Sequence, residues 1–252
     1  MSTNPPKKSP ADDLICPISL ELPWEPVMAE DGRVYERECI EEHIKKNHHN
    51  LTSPITREEM GTRLFPAIQH RNTIETLVES GVIDGDLADK WNEKVEQKKE
   101  MEKLLKKAEA GDGSAMYSAG IKYGSGLDGF KKDKKLAFQW HKKAHEVGDV
   151  RGNALMGWCY LHGTGVAKQH SLGLFYLIDA ASQGSNFAAY DLGMAFDNGN
   201  YGFNVDKTES IRWLEKSLGN CPHMHLAVSG TNEARQKLDE LKASAPASSA
   251  TS

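Results

Sequence analysis

Leu155-Met156-Gly157-Trp158-Cys159-Tyr160, followed by Gly163-Thr164-Gly165-Val166, sits inside a pattern that recurs on both sides of it. Ala108, Ala144 and Ala180 lie 36 residues apart, Gly111, Gly148 and Gly184 lie 37 and 36 apart, and Gly120, Gly157 and Gly193 keep those intervals. Tyr123, Tyr160 and Phe196 recur likewise, as do Trp140, Tyr176 and Trp213. A period of about 36 residues holds two short helices and two connections, and such a hairpin buries its apolar face only by stacking on the next. Ala115, Gly120, Gly152, Gly157, Ala188 and Gly193 are small residues that let backbones approach, with the aromatics filling the gap opposite. Asp133 and Asp206 stand just before the second helix of repeats one and three, where a carboxylate caps free backbone N–H groups. In repeat two that slot reads His170-Ser171, and Ser171 is expected to serve. The spacing thus predicts an all-α solenoid of three helical hairpins over residues 108–220.

Working outward, the run 86–107 places Leu87, Trp91, Val95 and Leu104-Leu105 at helical spacing among charges. It reads as a charged linker and capping helix over 81–107, solvated between two domains, with a dimerising coil as the alternative. A last helix near 232–242 caps the other end of the stack, within a region at 221–243. The Pro-, Lys- and Ser-containing residues 1–10 and the Ala/Ser-rich 244–252 have little to bury and are expected to be disordered.

The 252 residues are 38% hydrophobic, enough for ordinary cores, and 31 Lys and Arg against 36 Asp and Glu give a formal charge of −5. That balance argues against a basic surface for nucleic acid. Cys16, Cys39, Cys159 and Cys221 form no C-x-x-C pair, which reads as reduced thiols. With no secretory leader and no membrane-length apolar run, a soluble cytoplasmic or nuclear protein is expected.

Residues 11–80 form a separate α+β segment. Asp31-Gly32 is a two-residue turn between Pro26-Val27-Met28-Ala29 and Arg33-Val34-Tyr35, a β-hairpin signal. Glu38–Lys46 and Arg71–Glu79 have the apolar spacing of short amphipathic helices, joined through a polar loop, Asn47–Ser53, that ends at Pro54. Cys39, on the first helix, reads as a small buried hydrophobe. Cys221-Pro222-His223-Met224-His225 and His48-His49 invite a metal reading, but neither offers a full ligand set, and surface-loop chemistry is the simpler account.

Ile15-Cys16-Pro17-Ile18-Ser19-Leu20-Glu21-Leu22-Pro23-Trp24-Glu25-Pro26-Val27, Gly32 through Ile40, Ser53-Pro54-Ile55-Thr56-Arg57, Leu64 through Ile68 and Arg71-Asn72-Thr73-Ile74 together resemble the U-box. This is the metal-free relative of the RING finger found in ubiquitin ligases. A RING needs eight Cys or His ligands for two zinc ions; here Ser19 stands at the second ligand position and the others do not follow, so no zinc and no cofactor are expected. The resemblance implies that polar contacts hold the loops instead, with Glu21, Arg33, Glu36, Arg37 and Glu41 as candidates. It further implies that Ile18, Leu20 and Pro54 dock a ubiquitin-charged conjugating enzyme, and that Arg57 bridges that enzyme and ubiquitin, with no nucleophile in this chain. Many members carry Asn where this chain has Ala67, so one loop-bracing hydrogen bond is expected to be missing.

Residues 108–220 resemble the Sel-one-like repeats, cousins of the tetratricopeptide repeats, through the L/M-G-x-x-Y, G-x-G-V and W-x-x-K-A spacings. Members serve as protein-binding scaffolds, which implies a protein substrate or chaperone-type partner on the repeats. The two resemblances together imply a ubiquitin-protein ligase, with no nucleic-acid or membrane partner. The alternative is a non-catalytic adaptor in a quality-control complex, and a homodimer is left open.

Overall fold

In the computed structural model, which describes residues 11–219 and 228–244, Asp31-Gly32 turns the chain between β1 (Pro26–Ala29) and β2 (Val34–Glu36), with Val27 opposite Tyr35. Gly32 takes φ +75°, a conformation glycine adopts without a Cβ clash. A third strand, β3 (Leu64–Pro66), pairs antiparallel with the other edge of β1, Met28 facing Phe65, so the sheet order is β2-β1-β3. The sequence reading held only the hairpin; three residues ending in proline show no alternation, and an edge strand is where proline is tolerated.

Helix α1 (Arg37–Lys46) packs Ile40 onto the sheet in a core with Val27, Ala29 and Tyr35, and this core also takes in Cys16 and Met60. Helix α2 (Ile68–Glu79) starts three residues ahead of the expected Arg71, and its cap residue Ala67 makes no side-chain hydrogen bond. Ile74 and Val78 of α2 join a second cluster with Leu22, Ile83, Ala88 and Trp91.

The last two of these lie on α3 (Gly85–Glu109). The described residues fall into two compact units divided after Gln97, and the first half of α3 belongs to the first unit. Trp91 is only 3% exposed, and its ring lies 5.2 Å from that of Trp24, over which the Arg71 guanidinium sits at 4.0 Å. A solvated linker is therefore the wrong description of this half. Leu87, Ala88, Trp91 and Val95 form one apolar stripe, and the surface that covers it is supplied by residues far away in sequence.

The second unit stacks α4 (Gly113–Ser125), α5 (Lys134–Glu146), α6 (Val150–His162), α7 (His170–Ser182), α8 (Asn186–Asn198) and α9 (Lys207–Ser217) as three hairpins, each against the next. A Cβ at Gly157 would stand 2.9 Å from both the Gly173 carbonyl and the Leu177 nitrogen, so the absent side chain sets how closely α6 and α7 approach. Asp133 caps Lys135 and Leu136 N–H, and Asp206 caps Thr208 and Glu209 N–H. Ser171 does not cap α7. The loop of repeat two is one residue shorter, which moves the slot to Gln169, and Gln169 makes no side-chain cap bond.

Leu104, Leu105 and Ala108 of α3 cover Ala115, Met116 and Trp140 at one end of the stack. At the other end α10 (Val228–Ser244), longer than the expected 232–242, lays Ala234, Leu238 and Leu241 on Leu214. Asp197, buried in α8, receives Lys207 at 2.5 Å and Lys237 of α10 at 2.7 Å. Residues 1–10, the Cys221–His225 motif and the terminal 245–252 lie outside the described residues.

One interior position breaks the repeat chemistry. Where repeats two and three bury Leu177 and Leu214, repeat one buries His141, 5% exposed and with no hydrogen-bond partner on Nδ1. Burial pulls this imidazole down to about 4 from its ordinary 6.5. The unfolded chain therefore binds a proton at His141 that the folded chain refuses, and stability present above pH ~6.5 is lost as pH falls toward ~4, by about 2–3 kcal/mol. Urea denaturation of the second unit at pH 7 and pH 4.5 is expected to show this loss in the native chain and a smaller one in His141→Leu.

Candidate functional site

The loop Cys16–Leu22 is closed on itself: the Cys16 N–H donates to the Glu21 carbonyl and the Leu20 N–H to the Cys16 carbonyl, both at 2.9 Å. Its two ends are fixed by burial, Cys16 in the sheet core and Leu22 in the α2–α3 cluster. Between these anchors Ile18 is 37% and Leu20 71% exposed, and Leu20 takes φ +59°. An apolar side chain held outward at a left-handed position is a local cost that the loop's anchors sustain.

The second loop is anchored in that same core through Leu51 and Met60. Pro54 is half-buried, while Ile55 and Arg57 are exposed and Arg57 takes φ +63°. The Arg57 N–H donates to the Ser53 carbonyl at 3.1 Å, and the Ser53 N–H to the Glu58 carbonyl at 2.9 Å. Ile18 and Leu20 thus stand on one loop and Pro54 and Arg57 on the other, and both loops are rooted in one core.

The hairpin tip holds the second loop at both ends. Asp31 Oδ2 accepts the hydroxyls of Tyr35 and Ser53, each at 2.6 Å, and Ser53 Oγ in turn accepts the N–H groups of Ile55 and Thr56. Glu30 Oε1 accepts both the backbone N–H and the Nε–H of Arg63 at 3.0 Å. Burial works to raise the Asp31 carboxyl, but the Ser53 and Tyr35 hydroxyls and the Arg33 N–H outweigh it and hold it below its ordinary value. Burial, then the Asp31 carboxylate, push the Tyr35 phenol up. Sequence reasoning treated Asp31 as a turn residue and passed over Glu30; two adjacent acids in a turn were the available signal.

The expected bracing residues distribute differently. Glu21 pairs with Lys90 at 2.9 Å and Lys94 at 3.0 Å, both on α3, and these bonds hold its carboxyl below the usual range. Arg37 meets Glu25 at 3.4 Å and Glu41 at 3.5 Å. Glu36 forms no salt bridge among the described residues; its carboxylate accepts the N–H groups of Trp24 at 2.5 Å and Arg37 at 3.0 Å, joining the entry to β1 with the start of α1. Arg33 contributes its backbone N–H to Asp31, and its guanidinium makes no ion pair among the described residues.

Cys16 is fully buried, whereas Cys39 is half-buried rather than enclosed, and burial raises its thiol. Among the described residues no group of three or more His, Cys, Asp or Glu side chains is placed to hold a metal ion. No helix there is long and apolar enough to cross a membrane. Removing the Asp31 carboxylate leaves two hydroxyls and an N–H without their acceptor, so Asp31→Ala is expected to cost about 1–3 kcal/mol. Hydrogen exchange should show faster exchange at Ile55 and Thr56 in that variant, with amides of α6 and α7 unchanged.

Comparison with known proteins matches a U-box domain at residues 11–82 and Sel1 repeats at 113–149, 150–185 and 186–218. Similar curated proteins include the E3 ubiquitin-protein ligase SPL11 of Oryza sativa subsp. japonica, 49% identical over 51 residues, or 20% of this chain and 7% of that one. U-box domain-containing protein 12 of Arabidopsis thaliana is 38% identical over 76 residues, 30% of this chain and 11% of that one. The chain therefore spans only a small part of the length of these relatives. Among solved structures, a Sel1 repeat protein from Oxalobacter formigenes aligns at 29% identity and TM-score 0.43, covering 56% of this chain and 98% of that one. Residues 11–82 thus carry a U-box domain and residues 113–218 carry three Sel1 repeats.

Proposed function

We propose that this chain is a ubiquitin-protein ligase of the U-box type, in which Ile18, Leu20 and Pro54 dock a conjugating enzyme charged with ubiquitin. Its repeats hold a protein substrate or a chaperone-type partner. The observation that carries the reading is the outward display of Ile18 and Leu20 on a loop whose flanking residues are buried. Apolar side chains held exposed on an otherwise anchored loop suit a surface that a partner covers. The exposed Arg57 on the neighbouring loop supplies a planar fork that can donate to carbonyls of two partners at once, which a lysine ammonium does not match.

The chemistry belongs to the conjugating enzyme. A substrate amine attacks the thioester carbonyl, the carrier's thiolate leaves, and an amide forms; the U-box restrains the thioester in a reactive pose and gives neither acid nor base. The three thiols among the described residues support that division. Cys16 lies in the core, burial and neighbouring acids raise Cys39, and burial raises Cys159 to about 11, all unsuited to forming a ubiquitin thioester. Free thiols of this kind suit the cytoplasm or nucleus.

The test is a reconstituted mixture of activating enzyme, a panel of conjugating enzymes, ubiquitin and the chain, read by the appearance of conjugates. The native chain is expected to form them and Ile18→Ala to lose them. Arg57→Ala loses charge-assisted bonds worth roughly 1.5–3 kcal/mol, so transfer should slow by about 10- to 100-fold, with Arg57→Lys recovering little. Absence of conjugates across the whole panel would leave the adaptor role instead.

A further inference from the structure

The three repeats serve as controls for one another, because positions needed for packing carry similar residues in each. Besides the buried His141 and Asp197, one cluster departs from that rule. Trp158 and His162 on α6, and Asp191 on α8, stand where the other repeats have Ile121 and Met194, Ser125 and Asn198, and Ser118 and Leu155. Tyr201, two residues beyond the cap glycine Gly199, completes the group; the corresponding residues after Gly126 and Gly163 are Asp128 and Gly165.

These four side chains converge. The Trp158 and His162 rings stack at 4.5 Å, His162 Nε2 and the Tyr201 hydroxyl lie 3.3 Å apart, and the Asp191 carboxylate interacts electrostatically with both His162 and Tyr201. Asp191 Oδ2 is sealed from solvent and has no hydrogen-bond partner, while the residue as a whole remains partly open. A carboxylate oxygen kept from water without a hydrogen-bond partner is unfavourable, and burial, only partly opposed by His162, raises the carboxyl to about 6.

Tyr201 adds a second anomaly. All three loops require a left-handed residue here, with φ +52° at Asp128, +73° at Gly165 and +59° at Tyr201. Glycine meets that need without cost, whereas a bulky side chain is strained in it. Tyr201 is held there with its ring edge-on to His162 at 6.0 Å, beside the unpaired carboxylate.

We infer that Asp191, set beside His162 and Tyr201 with the Trp158 ring stacked on His162, is a binding site for a cationic side chain, lysine or arginine, of a protein partner. An ammonium or guanidinium meeting the open side of Asp191 supplies a counter-charge, and the electron-rich ring of Tyr201 beside it attracts the same cation, with Trp158 stacked on the adjoining His162. The site lies wholly within the second unit and does not depend on whether the first unit transfers ubiquitin.

The test titrates the full chain with α-N-acetyl-lysinamide and α-N-acetyl-argininamide, against α-N-acetyl-norleucinamide, following the tryptophan indole N–H signals by NMR. Both cations are expected to shift the Trp158 signal saturably at millimolar concentration while Trp24, Trp91, Trp140 and Trp213 stay in place, and norleucine to leave it unmoved. Asp191→Asn should weaken the response by about tenfold or more. Tyr201→Gly, which suits the backbone better but removes a ring packed on the repeat core, should weaken it too. A Trp158 signal that ignores both cations, follows norleucine equally, or responds in both variants as in the native chain would overturn the proposal.

Discussion

A single carboxylate on a two-residue turn carries the N-terminal unit's loop architecture. Asp31 gathers the hydroxyls of Tyr35 and Ser53 at 2.6 Å, and through Ser53 it reaches the amides of Ile55 and Thr56. Hydrogen bonds to an ionised oxygen are short and about twice as strong as neutral ones. With Glu30 holding Arg63 a few residues further on, the tip grips the second loop at both ends. A loop held in this way can keep Arg57 in a left-handed conformation with its side chain facing solvent. In a zinc-bound relative an ion would supply such closure, at the cost of four ligands per site.

The repeat unit divides its residues between two tasks. Gly157 lets backbones meet, and Asp133 and Asp206 finish helices, so these positions maintain the stack. Asp197 stands where repeat two has Leu161, and it exchanges a packing residue for a tether on the capping helix, through Lys237. Asp191 and Tyr201 cap no helix, although the Tyr201 ring also packs against the repeat core. One is an acid with a sealed oxygen that lacks a hydrogen-bond partner and the other a ring on a strained backbone, and both stand where another repeat manages with leucine or glycine.

Legibility in the sequence followed locality. The Asp31-Gly32 hairpin, α1 and the repeat period were readable because each signal lies within a few residues or recurs at a fixed interval. Strand β3 was not, since three residues pair with β1 across some 35 positions of chain and carry no pattern of their own. A loop one residue shorter moved the α7 cap slot from the expected His170-Ser171 to Gln169. In the candidate site, Ile18, Leu20, Pro54 and Arg57 could be picked out as loop residues by resemblance. Their braces could not: Asp31 to Ser53, Glu30 to Arg63 and Glu21 to Lys90 are pairs separated by 22, 33 and 69 positions. The stripe on α3 was visible, but Trp24 as its cover was not.

The most direct measurement is the rate at which the chain, treated with a zinc chelator, discharges ubiquitin from a conjugating-enzyme thioester onto free lysine, for the native chain and Asp31→Ala. Loops held by the hairpin tip require discharge that is indifferent to the chelator and that collapses in Asp31→Ala. Discharge that needs zinc, or that proceeds at the native rate without the Asp31 carboxylate, would contradict it.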